Sequence, residues 1–174
     1  MIESNIIDKK WMKRAIYLAS LGEGTTSPNP MVGAVILDKN GNLISEGFHH
    51  KSGMPHAEAM AFNNLKKDAK GGTIYVNLEP CCHQGRTPPC ADKIILSGIK
   101  KIFISIKDPD KRVSGKGIKL LKDSGIEVHL GLCEKESLEL NKSFIHRNIT
   151  NCAFGVLKWA MSIDGKVALK NGNS

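Results

Sequence analysis

Four residues near the middle of the chain have the side chains of a catalytic metal site. A single alanine separates His56 from Glu58, Cys81 follows a proline, and Cys90 comes nine residues after Cys81. A catalytic zinc ion takes three protein ligands and keeps a fourth position for a water, whose pKa it lowers towards neutrality. One imidazole and two thiolates balance the charge of such an ion. The types of these four side chains therefore favour a catalytic zinc site, in which three of them bind the metal and the fourth is left as an acid/base group.

Two other interpretations of these residues stay open at this point. Cys82 and His83 follow Cys81 directly, and either side chain as a fourth ligand would close the site and make it structural. Cysteines are also common as small buried apolar residues. However, the chain has five cysteines, an odd number, and three of them fall within ten residues. This crowding disfavours a disulfide framework and favours metal or catalytic chemistry.

The proposed ligands require particular elements to position them. Side chains two positions apart in a helix point about 200° away from each other. His56 and Glu58 therefore share a site only if His56 lies at the irregular first position of a helix, which Pro55 favours. Cys90 is predicted at the start of another helix, after a buried strand and an irregular loop over 80–89. The positive end of a helix favours the thiolate that a metal needs.

The rest of the chain alternates strands and helices. Apolar runs and periodicity predict strands over 31–37, 43–48, 73–78, 101–106 and 126–130, with helices over 8–21, from 56, and over 90–96, 117–122 and 134–147. This order predicts a three-layer α/β/α sandwich with a five-stranded mixed, mostly parallel sheet, in which only the opening hairpin is antiparallel.

After Asn151 the pattern starts again, with a predicted strand over 154–160 and a turn over 163–166. A single strand cannot form an independent domain. We therefore expect one domain over 1–147, whereas 148–174 would be a linker and the first strand of a second, truncated unit.

Composition and charge narrow the classes of function. The 174 residues are 41% hydrophobic and 24% charged, as in globular proteins with a buried core. No apolar run reaches the roughly 18–20 residues of a membrane helix, and the N-terminus lacks a signal pattern, so a cytoplasmic location is expected. The net charge is +8, and the excess of basic residues is concentrated between Lys93 and Lys122. This segment forms either a solvated face or a surface that attracts anionic substrates or nucleic acid.

The motifs resemble a known family. His56–Glu58 with Pro80-Cys81 resembles the H-x-E and P-C-x-x-C signature of zinc-dependent nucleobase deaminases. In that signature the second cysteine comes three positions after the first, whereas here it comes nine positions after it. The segments LEPC at 78–81, GRTPPC at 85–90 and PNPMVG at 28–33 resemble the pyrimidine deaminase of riboflavin biosynthesis, the N-terminal half of a bifunctional deaminase–reductase. The long GRTPPC loop accounts for the nine-residue spacing.

The resemblance implies a cytidine-deaminase-like fold, one Zn²⁺ per chain bound by His56, Cys81 and Cys90, and a small phosphorylated pyrimidine substrate. The reaction would convert 2,5-diamino-6-(5-phospho-ribosylamino)pyrimidin-4(3H)-one to 5-amino-6-(5-phosphoribosylamino)uracil and ammonia. Glu58 would carry the proton from water to the ring and to the departing amine. Substrate contacts are implied at Asn29, His49 and Arg86, with a weaker signal at His83. Homodimers or homotetramers are implied, with neither a nucleic acid nor a membrane as partner.

Ordinary structural interpretations stand beside these implied contacts. Asn29 lies between two prolines and suits a turn, His49 suits an exposed surface position, and Arg86 suits a solvated loop.

The segment 156–166 resembles the start of the family's reductase domain. NADPH is therefore expected only with a complete reductase domain, and reduction is not expected from this chain. Two other classes of function remain. The net charge suits a nucleic-acid deaminase such as a tRNA adenosine editor, but the long loop and the 5% aromatic content disfavour it. A non-enzymatic, zinc-stabilised module would bind a partner through its basic face.

Overall fold

The computed structural model describes residues 2–82, 89–110, 113–168, 170 and 172. Helices and strands alternate along this part of the chain, and none of its helices is long and apolar enough to cross a membrane. The elements are α1 (Ile2–Ser20), β1 (Gly33–Leu37), β2 (Leu43–Phe48), α2 (Ala57–Asn63), β3 (Thr73–Leu78), α3 (Cys90–Leu96), β4 (Lys101–Ile106), α4 (Lys116–Asp123), β5 (Glu127–Leu130), α5 (Glu134–Leu140) and α6 (Lys142–Thr150).

The five strands form one mixed sheet in the order β2-β1-β3-β4-β5. β3, β4 and β5 pair in parallel, as predicted. The expectation that only the opening hairpin is antiparallel is wrong, because β1 also pairs antiparallel with β3, where Ala34 lies opposite Val76. β1 lies between β2 and β3 and is antiparallel to both of them, whereas the other four strands run in the same direction.

Helices cover both faces of the sheet, which confirms the three-layer architecture. Alternate residues of β1 and β3, such as Ile36 and Ile74, pack against α2, α3 and α4. The residues between them, such as Val35 and Tyr75, pack against α1 on the other face. Strands buried on both faces read as continuous apolar runs, and for this reason the strand predictions agree closely with the structure.

The helix predicted over 134–147 is two helices in the structure, α5 and α6, which meet at Asn141. This asparagine is 1% exposed and has a non-helical backbone, with φ −103° and ψ 19°. Its side chain accepts a hydrogen bond from the backbone N–H of Met31 at 2.8 Å and donates one to the carbonyl oxygen of Met31 at 2.9 Å. These long-range bonds compete with the helical conformation and break the helix.

The strand predicted over 154–160 is absent from the structure. Its apolar side chains are exposed, among them Val156 and Leu157 at 77% and 82%. A strand forms only where another strand satisfies its backbone groups, and the described part of the chain offers no partner here. The predicted turn is present, since the Gly165 N–H donates to the carbonyl oxygen of Ser162 at 2.9 Å.

Candidate active site

The three predicted metal ligands come from the ends of neighbouring elements. His56 is the residue that precedes α2, with the extended backbone (φ −68°, ψ 161°) of an N-terminal cap. Cys90 is the first residue of α3, and Cys81 lies in the loop that follows β3. His56 thus has the irregular first position that the spacing to Glu58 requires. The fold brings two helix N-termini and the carboxyl end of a central strand to one place.

The ligand atoms have the separations of a tetrahedral zinc site. The Sγ atoms of Cys81 and Cys90 each lie 3.5 Å from Nδ1 of His56, and the three atoms lie within 4.8 Å of one another. Zinc–nitrogen bonds of about 2.0–2.1 Å and zinc–sulfur bonds of about 2.3 Å place tetrahedral nitrogen and sulfur ligands about 3.5 Å apart. Both the donor types and their spacing therefore fit zinc.

The local environment favours the metal-binding form of Cys81. Hydrogen bonds from the side chains of Cys90 and His56 lower the pKa of the Cys81 thiol to about 4, despite its burial. The backbone N–H of Cys90 also donates to Cys81 Sγ at 3.4 Å. The thiolate is the form of cysteine that binds metals, so this sulfur is prepared for a cation.

A closed, purely structural site finds no support in the described residues. Cys82 does not belong to the ligand cluster and packs instead beside the apolar core, where burial raises the pKa of its thiol. His83, the other candidate for a fourth ligand, lies outside the described residues. The part of the chain that the structure describes therefore offers three possible ligands, the number typical of catalytic zinc.

Glu58 lies in the first turn of α2 and is 3% exposed. Burial, and after it the negative charge of Cys81, raise the pKa of its carboxyl group to about 7. The group is not one of the three clustered ligands, although it hydrogen-bonds to the side chain of Cys90. A carboxyl group with this pKa can both accept and release a proton near neutral pH.

A cavity of about 340 Å³ opens beside these residues. Such a volume suits a small-molecule ligand. Its described walls come from the segment around Asn29, the end of β3, the residues after β4, and α6. They are Pro28, Asn29, Pro30, Val32, His49, His56, Glu58, Leu78, Glu79, Cys81, Asp108, Asp110, Val113, Phe144, Arg147 and Asn148.

Two of the predicted substrate contacts, Asn29 and His49, line this cavity and hydrogen-bond to each other. His49 is 3% exposed, so its interpretation as a surface histidine is wrong. Its Nδ1 lies 3.0 Å from the carbonyl oxygen of Pro55, which can only accept, so Nδ1 carries the proton. Nε2 then accepts from Nδ2 of Asn29 at 3.1 Å. Burial lowers the pKa of His49, which agrees with a neutral ring. The predicted contacts Arg86 and His83 lie outside the described residues.

Sequence reasoning missed several residues that line the cavity. Asp108 follows the carboxyl end of β4, a place where ligands commonly bind in parallel sheets, and it lies in the segment KDP at 107–109, which also resembles the riboflavin-biosynthesis family; both signals were available. Burial raises the pKa of Asp108 to about 6. Phe144, Arg147 and Asn148 belong to α6, which no motif marks. Arg147 donates from Nη2 to the carbonyl oxygen of Pro28 at 2.8 Å and so connects α6 to the opposite wall.

Comparisons with known sequences identify relatives of this chain. The family model of the cytidine and deoxycytidylate deaminase zinc-binding region matches residues 5–106. The riboflavin biosynthesis protein RibD of Aquifex aeolicus (strain VF5) is 49% identical over 168 residues, which are 97% of this chain and 47% of that protein. A diaminohydroxyphosphoribosylamino-pyrimidine deaminase of Buchnera aphidicola subsp. Schizaphis graminum is 53% identical over 140 residues, covering 80% of this chain and 95% of that protein. The chain thus spans about half the length of the curated RibD relatives that it matches.

Solved structures agree with these matches. A crystal structure of a diaminohydroxyphosphoribosylaminopyrimidine deaminase/5-amino-6-(5-phosphoribosylamino)uracil reductase from Thermotoga maritima has a TM-score of 0.93 at 44% identity, over 98% of this chain and 49% of that one. A dCMP deaminase from the cyanophage S-TIM5 shares the fold at a TM-score of 0.56 and 22% identity, over 71% of this chain and 96% of that one. The predicted cytidine-deaminase-like fold is therefore confirmed. The chain belongs to the cytidine and deoxycytidylate deaminase family, and within it to the pyrimidine deaminases of riboflavin biosynthesis.

Proposed function

We propose that this chain catalyses the hydrolytic deamination of 2,5-diamino-6-(5-phospho-ribosylamino)pyrimidin-4(3H)-one, which yields 5-amino-6-(5-phosphoribosylamino)uracil and ammonia. The observation that carries the proposal is a cluster of three possible metal ligands, two of which line a cavity together with a buried carboxyl group. A structural zinc site has four protein ligands and needs neither an acid/base group nor a cavity. The similarity to named pyrimidine deaminases supports the choice of substrate.

His56, Cys81 and Cys90 would hold the zinc ion. Bound there, zinc supplies a Lewis acid that lowers the pKa of water and so makes a nucleophile available at neutral pH. The carboxylate of Glu58 takes a proton from the water as its oxygen adds to C2, and gives this proton to the ring nitrogen beside C2 that carries no hydrogen. Glu58 then takes the proton of the hydroxyl group added at C2 and gives it to the amine, so that the C2–N bond breaks, the C2=O bond forms and ammonia leaves. A pKa near 7 allows the same group to perform both transfers.

Asn29 would recognise the pyrimidine ring. One of its N–H groups is donated to His49, whereas its Oδ1 accepts no hydrogen bond from the described residues. The second N–H and Oδ1 together form a donor–acceptor pair that matches the edge of a pyrimidine amide. His49 holds this amide in one orientation, because its Nδ1–H is occupied by the carbonyl oxygen of Pro55. Arg86 and His83 stay predicted contacts.

We further propose that residues 1–147 form the deaminase domain and that 148–174 lead into a second unit. The relative from Buchnera, which matches over 140 residues and 95% of its own length, supports a deaminase domain of this size. The exposed apolar side chains after Asn151 support an interaction with protein outside this segment. Zinc would be the cofactor of the first domain, whereas NADPH would belong only to a complete reductase domain.

The direct test is ammonia release from the phosphorylated diaminopyrimidinone, with zinc content measured in parallel. Replacing Glu58→Gln removes the proton carrier and leaves the three ligands in place. We expect one zinc per chain and a fall in kcat of about 10²–10⁴-fold, the usual contribution of general acid–base catalysis. Wild-type kcat in the variant would contradict the role of Glu58. A zinc-loaded wild type that releases no ammonia would contradict the proposed function.

A further inference from the structure

Glu79 is a buried carboxylate that the proposed reaction does not use. It is 3% exposed and lies directly before Pro80 and Cys81. Both of its carboxylate oxygens accept hydrogen bonds from backbone N–H groups. Oε2 accepts from Gly115 at 2.9 Å and from Asp108 at 3.3 Å, while Oε1 accepts from Ile118 at 3.1 Å.

These three donors lie at two places in the chain, and of the three only Asp108 is among the described residues that line the cavity. Gly115 precedes α4 and Ile118 lies in its first turn, whereas Asp108 follows β4 and lines the cavity. The backbone of Glu79 is itself tied to the sheet, because its N–H donates to the carbonyl oxygen of Ile106 at 3.0 Å. The side chain of Glu79, two residues before Cys81, therefore binds both ends of the segment that carries the cavity residues Asp108, Asp110 and Val113.

The packing around Glu79 leaves little room for movement of α4. A Cβ atom added at Gly117 would lie 2.2 Å from the carbonyl oxygen of Pro80 and 3.3 Å from Oε1 of Glu79. The first turn of α4 thus lies directly against the peptide that precedes Cys81. Charge-assisted hydrogen bonds are stronger and shorter than neutral ones, so the carboxylate suits this connecting role better than an amide would.

We propose that Glu79 is a positioning residue for substrate binding. It holds the wall that carries Asp108, Asp110 and Val113 at a fixed distance from the zinc ligand Cys81. This inference rests on the proposed function, and it goes beyond it by assigning the spacing of the cavity to a residue that contacts neither zinc nor the reacting atoms. A loosened wall weakens ground-state and transition-state binding alike, which raises KM and leaves kcat nearly unchanged.

The test is Glu79→Gln in the full chain, with Ser105→Ala as the matched control. Gln keeps the size of the side chain but turns one acceptor oxygen into an NH₂ group that faces N–H donors. Ser105 is fully buried, its hydroxyl donates to the carbonyl oxygen of Cys133 at 3.0 Å, and it is absent from the described cavity wall. Both variants lose a buried hydrogen bond, and both should lower the Tm.

We expect Glu79→Gln to raise KM for the phosphorylated diaminopyrimidinone about 10-fold, the low end of the effect of losing one hydrogen bond to a charged group. Its kcat should stay within about threefold of wild type and its zinc content at one per chain. Ser105→Ala should keep the wild-type KM. Glu79→Asp, which retains the carboxylate on a shorter side chain, should show an intermediate KM.

Two results would overturn the proposal. The first is a wild-type KM together with a lower Tm in Glu79→Gln, because Glu79 would then serve stability alone. If Glu79→Gln does not fold, the same result in Glu79→Asp would overturn the proposal. The second is a rise in KM as large in Ser105→Ala as in Glu79→Gln. Failure of the proposed function looks different, since wild type and control would then also release no ammonia despite bound zinc.

Discussion

On the side of the cavity where zinc would bind, the important side chains come from short segments at the ends of α2, β3 and α3. The opposite wall is assembled from distant parts of the chain. Asn141 binds the backbone of Met31 across 110 residues, and Asn77 accepts a hydrogen bond from the N–H of Gly33 at 2.9 Å while it donates to the carbonyl oxygen of Met31 at 3.0 Å. These contacts fix the segment that carries Asn29.

The difference between the two sides shows how chemistry and shape are divided in this protein. Residue type, adjusted by the immediate surroundings of each side chain, determines what the ligand side can do, because imidazole, thiolate and carboxyl groups have their own reactivity. The shape of the other wall depends on buried asparagine and glutamate side chains that take the place of missing backbone partners. We therefore expect substitutions on the ligand side to abolish turnover and substitutions on the wall to change stability and affinity.

The largest effect is expected for Cys90→Ser. A hydroxyl is a far weaker zinc ligand than a thiolate, so zinc content should fall from one per chain to nearly none. The loss of activity should exceed the loss of about 100-fold that follows from replacing a residue that only hydrogen-bonds to a metal ligand. Metal analysis and ammonia release measure both. Cys152→Ser, at an exposed cysteine, is the matched control and should behave as wild type. Full zinc content and wild-type activity in Cys90→Ser would contradict the proposed difference between the ligand side and the opposite wall of the cavity.

An intermediate effect is expected for Asn141→Leu, which keeps the size of the side chain and removes its polar atoms. The buried N–H of Met31 loses its acceptor, so the free energy of unfolding should fall by about 1–3 kcal/mol. The carbonyl oxygen of Met31 keeps its bond from Asn77, which limits the loss. Urea denaturation measures the change.

Asn64→Leu, at a surface position, serves as the control and should change the free energy of unfolding by less than about 0.5 kcal/mol. The zinc content of Asn141→Leu should remain one per chain, because the ligand side does not depend on this contact. A variant of wild-type stability that loses its zinc would reverse the proposed division between the two sides.

The smallest effect is expected for Asn29→Ala. The ring would lose one donor and one acceptor, so kcat/KM should fall about 10-fold, which corresponds to roughly 1.4 kcal/mol, while zinc stays bound. Asn40→Ala, in the exposed turn between β1 and β2, should leave kcat/KM unchanged. Steady-state kinetics with the phosphorylated diaminopyrimidinone measure the difference. An unchanged kcat/KM in Asn29→Ala would assign this residue to the turn alone.

Local patterns were sufficient to predict most of the fold and the ligand side. The strands over 43–48, 73–78 and 101–106 and the helix over 90–96 have their predicted bounds. Each of these elements is marked by a short apolar run or by a capping position within the element itself. The placement of His56 before α2 followed from helix geometry, since no other arrangement brings it beside Glu58.

Features that depend on distant partners could not be predicted in this way. The break at Asn141 requires knowledge that Met31 lies beside it, and the second antiparallel pairing of β1 requires knowledge that β3 is its neighbour. The apolar run over 154–160 matches the pattern of a strand, yet strand formation depends on a partner that the pattern does not specify. The role of Glu79 was hidden for the same reason, because its three donors lie 29 to 39 residues further along the chain.

The position of α6 has a consequence for the smallest active unit. Phe144, Arg147 and Asn148 of α6 line one side of the cavity, although the family model ends at residue 106. The proposed zinc ligands and Glu58 all precede Ala91. A chain shortened to end at Leu140 would keep the proposed zinc ligands and Glu58, but its cavity would lack the wall that α6 provides. Because α6 ends at Thr150 and the exposed apolar segment follows it directly, that segment begins next to the part of the cavity wall that α6 provides.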